Sequence, residues 1–363
     1  MTHAESWRPR VVVCGTGFGR TYLAALRRPG VPLELAGILA RGSKRSLACA
    51  EYYQVPLYTD VSELPGDIDV GCVVVDGALN GGHGGELAVA LMARGIHVLQ
   101  EHPLHHSELA ACLRQARRSG VVYHLNTHYP HVPAISTFIG AARRLLERQP
   151  ALIIDALTTF TVLYPLVDVI GQVIGGIRPW SLSVGPPGAG GFGSADGTIA
   201  GVPIALRIQN ELHSADRDNG AHVLHRITLG TQGGNLLLVN TQGPVLWSPR
   251  LHMPADYKDA VTPQQSAAEH LDLPGTSCLT APAAPSCRAM LSDDWPDAAG
   301  QALAGLRLAI IEGEDPLPRG QYHLGLCQIV SHITGLLGRP SPPALASGDA
   351  IVEADRLVRC QPA

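Results

Sequence analysis

Residues Arg10–Leu26, Arg-Val-Val-Val-Cys-Gly-Thr-Gly-Phe-Gly-Arg-Thr-Tyr-Leu-Ala-Ala-Leu, constrain the fold more than any other stretch. Val11 to Cys14 form an unbroken apolar run, β-branched except for the last, which reads as a short strand buried on both faces. It leads directly into Gly15-Thr16-Gly17-Phe18-Gly19, and a helix follows with Tyr22, Leu23, Ala25 and Leu26 on a face that can lie against a sheet. In such a strand, loop and helix the glycines let the backbone turn tightly and approach a ligand. Free N–H groups and the helix dipole then favour a diphosphate. The dinucleotide fingerprint has glycine at the first, third and sixth places; here the sixth is Arg20 and the extra glycine stands one place early, at Gly19. For a bare glycine loop, a plain structural turn is the simpler alternative.

The next segment adds context. Leu33–Ala40 reads as a second strand that ends where the ribose of a bound dinucleotide would lie. An Asp or Glu there would bond the 2′-hydroxyl of NAD, but the chain has Arg41-Gly42-Ser43-Lys44-Arg45-Ser46. Three cations and two hydroxyls suit a 2′-phosphate, so the expected cofactor is NADP(H). The alternative is a solvated charged loop.

Alternation continues to residue 126. Ser46–Tyr53 reads as helix, Pro56–Tyr58 as a short strand, Val61–Leu64 as a helical turn and Val70–Val75 as a strand buried on both faces. The loop Asp76–Gly85 leaves the carboxyl end of that strand, and Val75 and Asp76 are placed beside the cofactor. Glu86–Arg94 is a helix stopped by Gly95, His97–Gln100 a strand, Ser107–Ser119 a helix closed by Gly120, and Val121–Leu125 a sixth strand. These elements predict an α/β fold with an N-terminal Rossmann domain, a doubly wound parallel sheet, over residues 1–127.

Two strand ends carry groups suited to proton transfer: Glu101-His102-Pro103 and Asn126-Thr127-His128-Tyr129-Pro130-His131. Both fall on the edge that carries the glycine loop, within reach of a nicotinamide. An imidazole titrates near 6.5, suited to proton transfer at neutral pH, and a phenol can donate where its surroundings lower its pKa. His102 and Tyr129 are therefore the candidate acids that accompany a hydride, with Glu101 beside them. The plainer alternative is structural, because 16 histidines are spread along the chain and tyrosines often fill domain seams.

At 363 residues the chain is long for one core, which points to two domains. A hydrophobic content of 45% against 16% charged, with net charge −4, describes an ordinary globular composition with no large basic field for nucleic acid. No apolar run is long enough for a membrane span, and Met1–Arg10 lacks the apolar core of a signal peptide, so a cytoplasmic location is expected. The 8 cysteines are scattered without zinc-binding spacing and read as small buried hydrophobes; no metal is expected.

Residues 128–363 predict an α+β domain with a mainly antiparallel open sheet. Pro150–Val162 and Leu182–Gly185 are strand-like, Gly188–Gly193 is a glycine-rich loop, and Ile204–Leu212, Val223–Gly230 and Asn235–Asn240 have strand patterns. Leu246–Pro285 is proline-rich and irregular, while Gln301–Glu312, Tyr322–Leu337 and Ser347–Arg359 look helical.

A leading glycine loop, a Glu-x-Pro after the fifth strand and a non-repetitive second half resemble the glucose–fructose oxidoreductase family. Its usual Glu-Lys-Pro carries a catalytic lysine; this chain has His102 there. The family's substrate-domain Asp is followed four residues later by His, whereas the best match here, Asp168, is followed by Gln172. Both departures count against sugar hydroxyl chemistry. Gly37–Ser43, Val55–Thr59, His97–His105 and Asn126–His131 closely resemble a narrower branch, the thiazolinyl imine reductases of siderophore assembly lines, most densely from Val11 to about His131.

That resemblance implies NADPH-dependent reduction of a thiazoline C=N to a thiazolidine, on an intermediate tethered to a nonribosomal peptide synthetase carrier domain. Its proposed general acids map onto His102 and Tyr129. It also implies a homodimer formed through the open sheet. Two other functions stay open: reduction of another small carbonyl, imine or sugar derivative, and a non-catalytic NADP-binding sensor.

Overall fold

The computed structural model describes residues 7–77, 81–186, 188, 190–212, 220–259 and 261–342. The expected helix Ser347–Arg359, Cys360, Ala189 of the glycine-rich loop and Ala78–Asn80 lie outside the described residues.

The first sheet has six parallel strands: β1 (Arg10–Cys14), β2 (Glu34–Leu39), β3 (Leu57–Tyr58), β4 (Val70–Val73), β5 (His97–Glu101) and β6 (Tyr123–Asn126), in the order β3-β2-β1-β4-β5-β6. Helices α1 (Gly19–Ala25), α2 (Lys44–Tyr53), α3 (Gly84–Ala93) and α4 (His106–Ser119) connect them. The chain winds outward both ways from β1, so the carboxyl ends of β1 and β4 flank a topological switch point. The apolar run of β1 has a direct cause. Val11 and Val13 pack with Tyr22 and Leu23 on one face, while Val12 and Cys14 pack with Ala88, Leu91 and Met92 on the other.

After β6 the chain enters α5 (Pro133–Leu146), β7 (Ile153–Thr159) and α6 (Leu163–Ile174), then seven further strands. These are β8 (Trp180–Gly185), β9 (Phe192–Ile199), β10 (Val202–Gln209), β11 (His225–Thr231), β12 (Gly234–Leu238), β13 (Val245–Pro249) and β14 (Ser277–Cys278). The second sheet runs β14-β13-β12-β11-β7-β10-β9-β8 and is antiparallel except for the β7–β10 pair, where Ile204 lies beside Ile154. Its inner face, including Ile154, Ala156, Leu206, Ile227 and Leu229, is buried against Ile135, Phe138, Leu166 and Ile329 in one continuous core.

Two long helices follow, α7 (Trp295–Glu312) and α8 (Pro316–Leu337). Helix α7 returns to the first sheet, where Ala299, Leu303 and Leu306 pack with Val11, Val13 and Leu99. One face of the parallel sheet is therefore closed by residues far from it in sequence.

Several expectations are corrected. Helices α5 and α6 fall where no helix is predicted: α5 has a clear helical period in Ala134, Ile135, Phe138, Ile139 and Ala142, whereas α6 is apolar nearly all round because 10 of its 12 residues are buried. β9 begins inside the stretch read as a glycine-rich loop, and β13 and β14 occupy the proline-rich segment. Helix α7 starts two turns before Gln301, and α8 starts at Pro316. Cys14, Cys72, Cys112 and Cys327 are buried as expected, but Cys278 and Cys287 are exposed. Among the described residues no helix is long and apolar enough to cross a membrane.

Candidate active site

The candidate cofactor-binding residues and the two candidate acids lie at the carboxyl edge of the first sheet. Gly15, Thr16, Gly17, Phe18 and Gly19 follow β1; Arg41, Gly42, Ser43, Lys44, Arg45 and Ser46 follow β2; Val75 and Asp76 follow β4; Glu101 and His102 end β5; Tyr129 follows β6. Strand order spreads them along this edge, with the basic segment one strand to one side of the glycine loop and the acid pair beyond β4 on the other.

At β1 the need for glycine is steric. Gly15 has φ +97°, and a Cβ there would lie 2.6 Å from the carbonyl oxygen of Val74. Gly17 has no atom within 4 Å of the corresponding position, which leaves open space above the loop. Helix α1 has no side-chain cap and no acidic residue in its first turn. After β2, Arg41, Lys44 and Arg45 are exposed, and among the described residues no carboxylate pairs with them. Ser46 differs from its neighbours: it is buried, its hydroxyl donates to the Ser43 carbonyl at 2.8 Å, and its N–H donates to Ser43 Oγ at 3.2 Å. Ser43 is the N-cap of α2, and Ser46, in the first turn, directs its hydroxyl back onto the Ser43 carbonyl instead of into solvent.

The candidate acid His102 is held by a buried network. Glu101 is 9% exposed and accepts from the Tyr22 hydroxyl and, at 3.2 Å, from Asn126 Nδ2. Its other oxygen lies 2.8 Å from His102 Nδ1. A carboxylate only accepts, so Nδ1 carries the proton and Nε2 is the atom through which His102 can exchange one. Tyr22, read from sequence as apolar packing, is thus part of the site. Burial and the neighbouring Glu101 hold its phenol well above the ordinary tyrosine range, so it remains a donor.

Around His102 stand Tyr164, stacked at 6.0 Å, and Tyr129, edge-on at 6.5 Å. Tyr129 also meets the His225 ring at 4.6 Å. Burial pushes His225 down to about 3, so this imidazole stays neutral. Tyr164 and His225 come from α6 and β11 of the second sheet's part of the chain, and no local motif marks them. Asp168 faces elsewhere: it accepts from Thr127, from Tyr322 at 2.8 Å and from Gln172 at 3.2 Å. The Asp168–Gln172 pair is a structural clamp. Asp168 and Gln172 line a cavity of about 500 Å³ together with His124, Glu314 and Arg319; neither His102 nor Tyr129 lines it.

Residues 9–127 match an oxidoreductase family with an NAD-binding Rossmann fold. Residues 148–248 match the C-terminal part of Irp3-like thiazolinyl imine reductases. Solved structures similar to this chain include a 3-ketoreductase from Actinomadura kijaniata in complex with NADP and TDP-benzene, at 16% identity, covering 93% of this chain and 99% of that one, with TM-score 0.64. A putative myo-inositol dehydrogenase from Sinorhizobium meliloti 1021 is similar at 13% identity, covering 91% and 97%, with TM-score 0.65. The gentamicin A biosynthesis protein GenD2, in complex with NAD, is similar at 13% identity, covering 89% and 92%, with TM-score 0.62. At these identities the likeness is one of fold. No curated protein matches the chain.

The residues at the carboxyl edge of the first sheet fit a nicotinamide dinucleotide. Gly15 has no room for a side chain, Gly17 leaves space for a diphosphate over the α1 N-terminus, and the β5 end supplies the His102 imidazole with Nδ1 turned to Glu101.

Proposed function

We propose that the chain is an NADPH-dependent reductase of a thiazoline C=N in a carrier-tethered siderophore intermediate. The observation that carries this reading is the pairing of His102 with Glu101 beside Tyr129, at the lysine position of the wider family, in a chain whose second sheet matches the imine-reductase C-terminal part. Bound NADPH supplies a hydride to the imine carbon. The chain's own residues hold and deliver the proton. Glu101 orients His102 through Nδ1, and His102 Nε2 or the Tyr129 hydroxyl protonates the ring nitrogen as negative charge develops there. Tyr164 and His225 pack the acids in buried surroundings, where such a donor acts most strongly.

Arg41, Lys44 and Arg45 select the 2′-phosphate of NADPH. The outward face of the eight-stranded sheet, including Ile153, Asp155, Pro203, Arg207 and Arg226, is the surface for a second copy of the chain. The cytoplasm is the compartment that supplies NADPH and the carrier-bound substrate. Incubation with a thiazoline-loaded carrier domain and NADPH, followed by intact mass measurement, tests the reading: gain of two hydrogens on the tethered group is expected, and an unchanged mass contradicts it.

A further inference from the structure

His128 lies between the two candidate acids in sequence; its backbone N–H donates to Asn126 Oδ1 at 3.1 Å, but its ring makes no hydrogen bond among the described residues. Its φ of +60° and ψ of −57° fall in a region that residues with a side chain rarely adopt, and the Tyr129 N–H donates across it to the Thr127 carbonyl at 2.6 Å. This is a γ-turn of the strained, positive-φ hand. Strain of this kind costs on the order of 1–3 kcal/mol and persists where the surroundings impose it, often at functional sites.

The ring adds a second cost. It is 1% exposed, and neither nitrogen finds a hydrogen-bond partner among the described residues. Beside it, at 5.6 Å, the Trp295 ring at the start of α7 also has a buried indole N–H without a partner among the described residues. Both rings meet Phe18 of the glycine loop, His128 at 5.1 Å and Trp295 at 5.5 Å. Buried polar atoms are nearly always paired, so three orphaned ones around a single loop residue call for an oxygen-bearing partner. A core plug needs none of this: phenylalanine would fill the space without orphan nitrogens.

We propose that His128, assisted by Trp295, is a positioning residue that hydrogen-bonds the diphosphate and nicotinamide-ribose oxygens of a dinucleotide entering over Phe18, and that its γ-turn sets Tyr129 against His102. This rests on the dinucleotide reading of the glycine loop. A neutral imidazole offers one donor and one acceptor and the indole one donor, which suits a segment bearing both phosphate acceptors and ribose hydroxyls. Phe18 ties the three rings to the loop, so dinucleotide entry and the seating of Tyr129 are coupled through one residue.

The test compares wild type, His128→Phe and His128→Asn, measuring NADPH and adenosine 2′,5′-bisphosphate affinity by fluorescence or calorimetric titration, together with thermal stability. His128→Phe is expected to bind NADPH roughly tenfold more weakly, to bind the bisphosphate nearly as wild type does, and to melt no lower because two unpaired nitrogens are gone. His128→Asn, which tolerates positive φ and keeps a donor, is expected to recover most of the NADPH affinity. Wild-type NADPH affinity in His128→Phe overturns the proposal while leaving the dinucleotide reading intact. Equal losses for both ligands, with a lowered melting temperature, overturn it in favour of a purely structural role. A wild-type protein that binds no dinucleotide overturns both readings.

Discussion

His102 Nδ1 donates to Glu101 Oε1 at 2.8 Å, although consecutive strand residues normally point to opposite faces. The contact is possible because β5 ends at Glu101 and the chain turns at Pro103, so the imidazole folds back over the carboxylate that Tyr22 and Asn126 already hold. If this pair delivers the proton, His102→Gln should lower kcat by about 10²–10⁴-fold. Tyr129→Phe should lower it less, and Glu101→Gln should fall between them. NADPH affinity should change little in all three, as titration under non-turnover conditions will show.

The two glycines after β1 should behave differently. In Gly15→Ala the new methyl meets the Val74 carbonyl at positive φ, and stability should fall by about 1–3 kcal/mol, measured by denaturant unfolding. Gly17→Ala meets no protein atom, so its melting temperature should match wild type while NADPH affinity falls, because the methyl occupies space the diphosphate needs.

Cofactor choice is assigned to exposed side chains with no carboxylate partner among the described residues. Arg41→Ala combined with Arg45→Ala should weaken NADPH binding by roughly tenfold, leave NADH binding near its starting value, and leave the fold intact. Parallel titrations with the two dinucleotides will show whether the loss is confined to NADPH.

Acid should destabilise the protein through its buried histidines. Burial lowers His128 and His323 to about 4 and His225 to about 3, from an ordinary value of 6.5. The unfolded chain therefore binds protons that the folded chain refuses: stability is full above about 6.5 and is lost as pH falls toward 4. The melting temperature should drop over that interval, and His323→Leu should flatten the drop. An identical acid limb in that variant would assign the loss to other groups.

Much of the first sheet is legible in the sequence because its strands are buried on both faces and its turns carry glycine, so local pattern and tertiary environment agree. The residues at its carboxyl edge follow from the same logic. What local pattern does not reveal is supplied by distance in sequence. Tyr164 and His225 reach His102 and Tyr129 from the second part of the chain, and α7 closes a sheet whose first strand lies nearly 300 residues upstream, with Leu303 in the same core as Val13. Tyr22 shows a different limit: its helical position marks the buried face, but only the fold shows that its hydroxyl ends on Glu101. With 10 of its 12 residues buried, helix α6 is an almost wholly apolar run, and such a run reads in sequence equally well as a buried strand.

The most direct measurement of the central claim is NADPH oxidation, followed by near-ultraviolet absorbance, with a synthetic aryl-thiazoline thioester as acceptor and with NADH and a panel of keto-sugars alongside. The account predicts loss of NADPH absorbance with the thiazoline, much slower oxidation of NADH, and none with the sugars. Activity confined to the sugar panel would contradict it and leave only the broader oxidoreductase assignment.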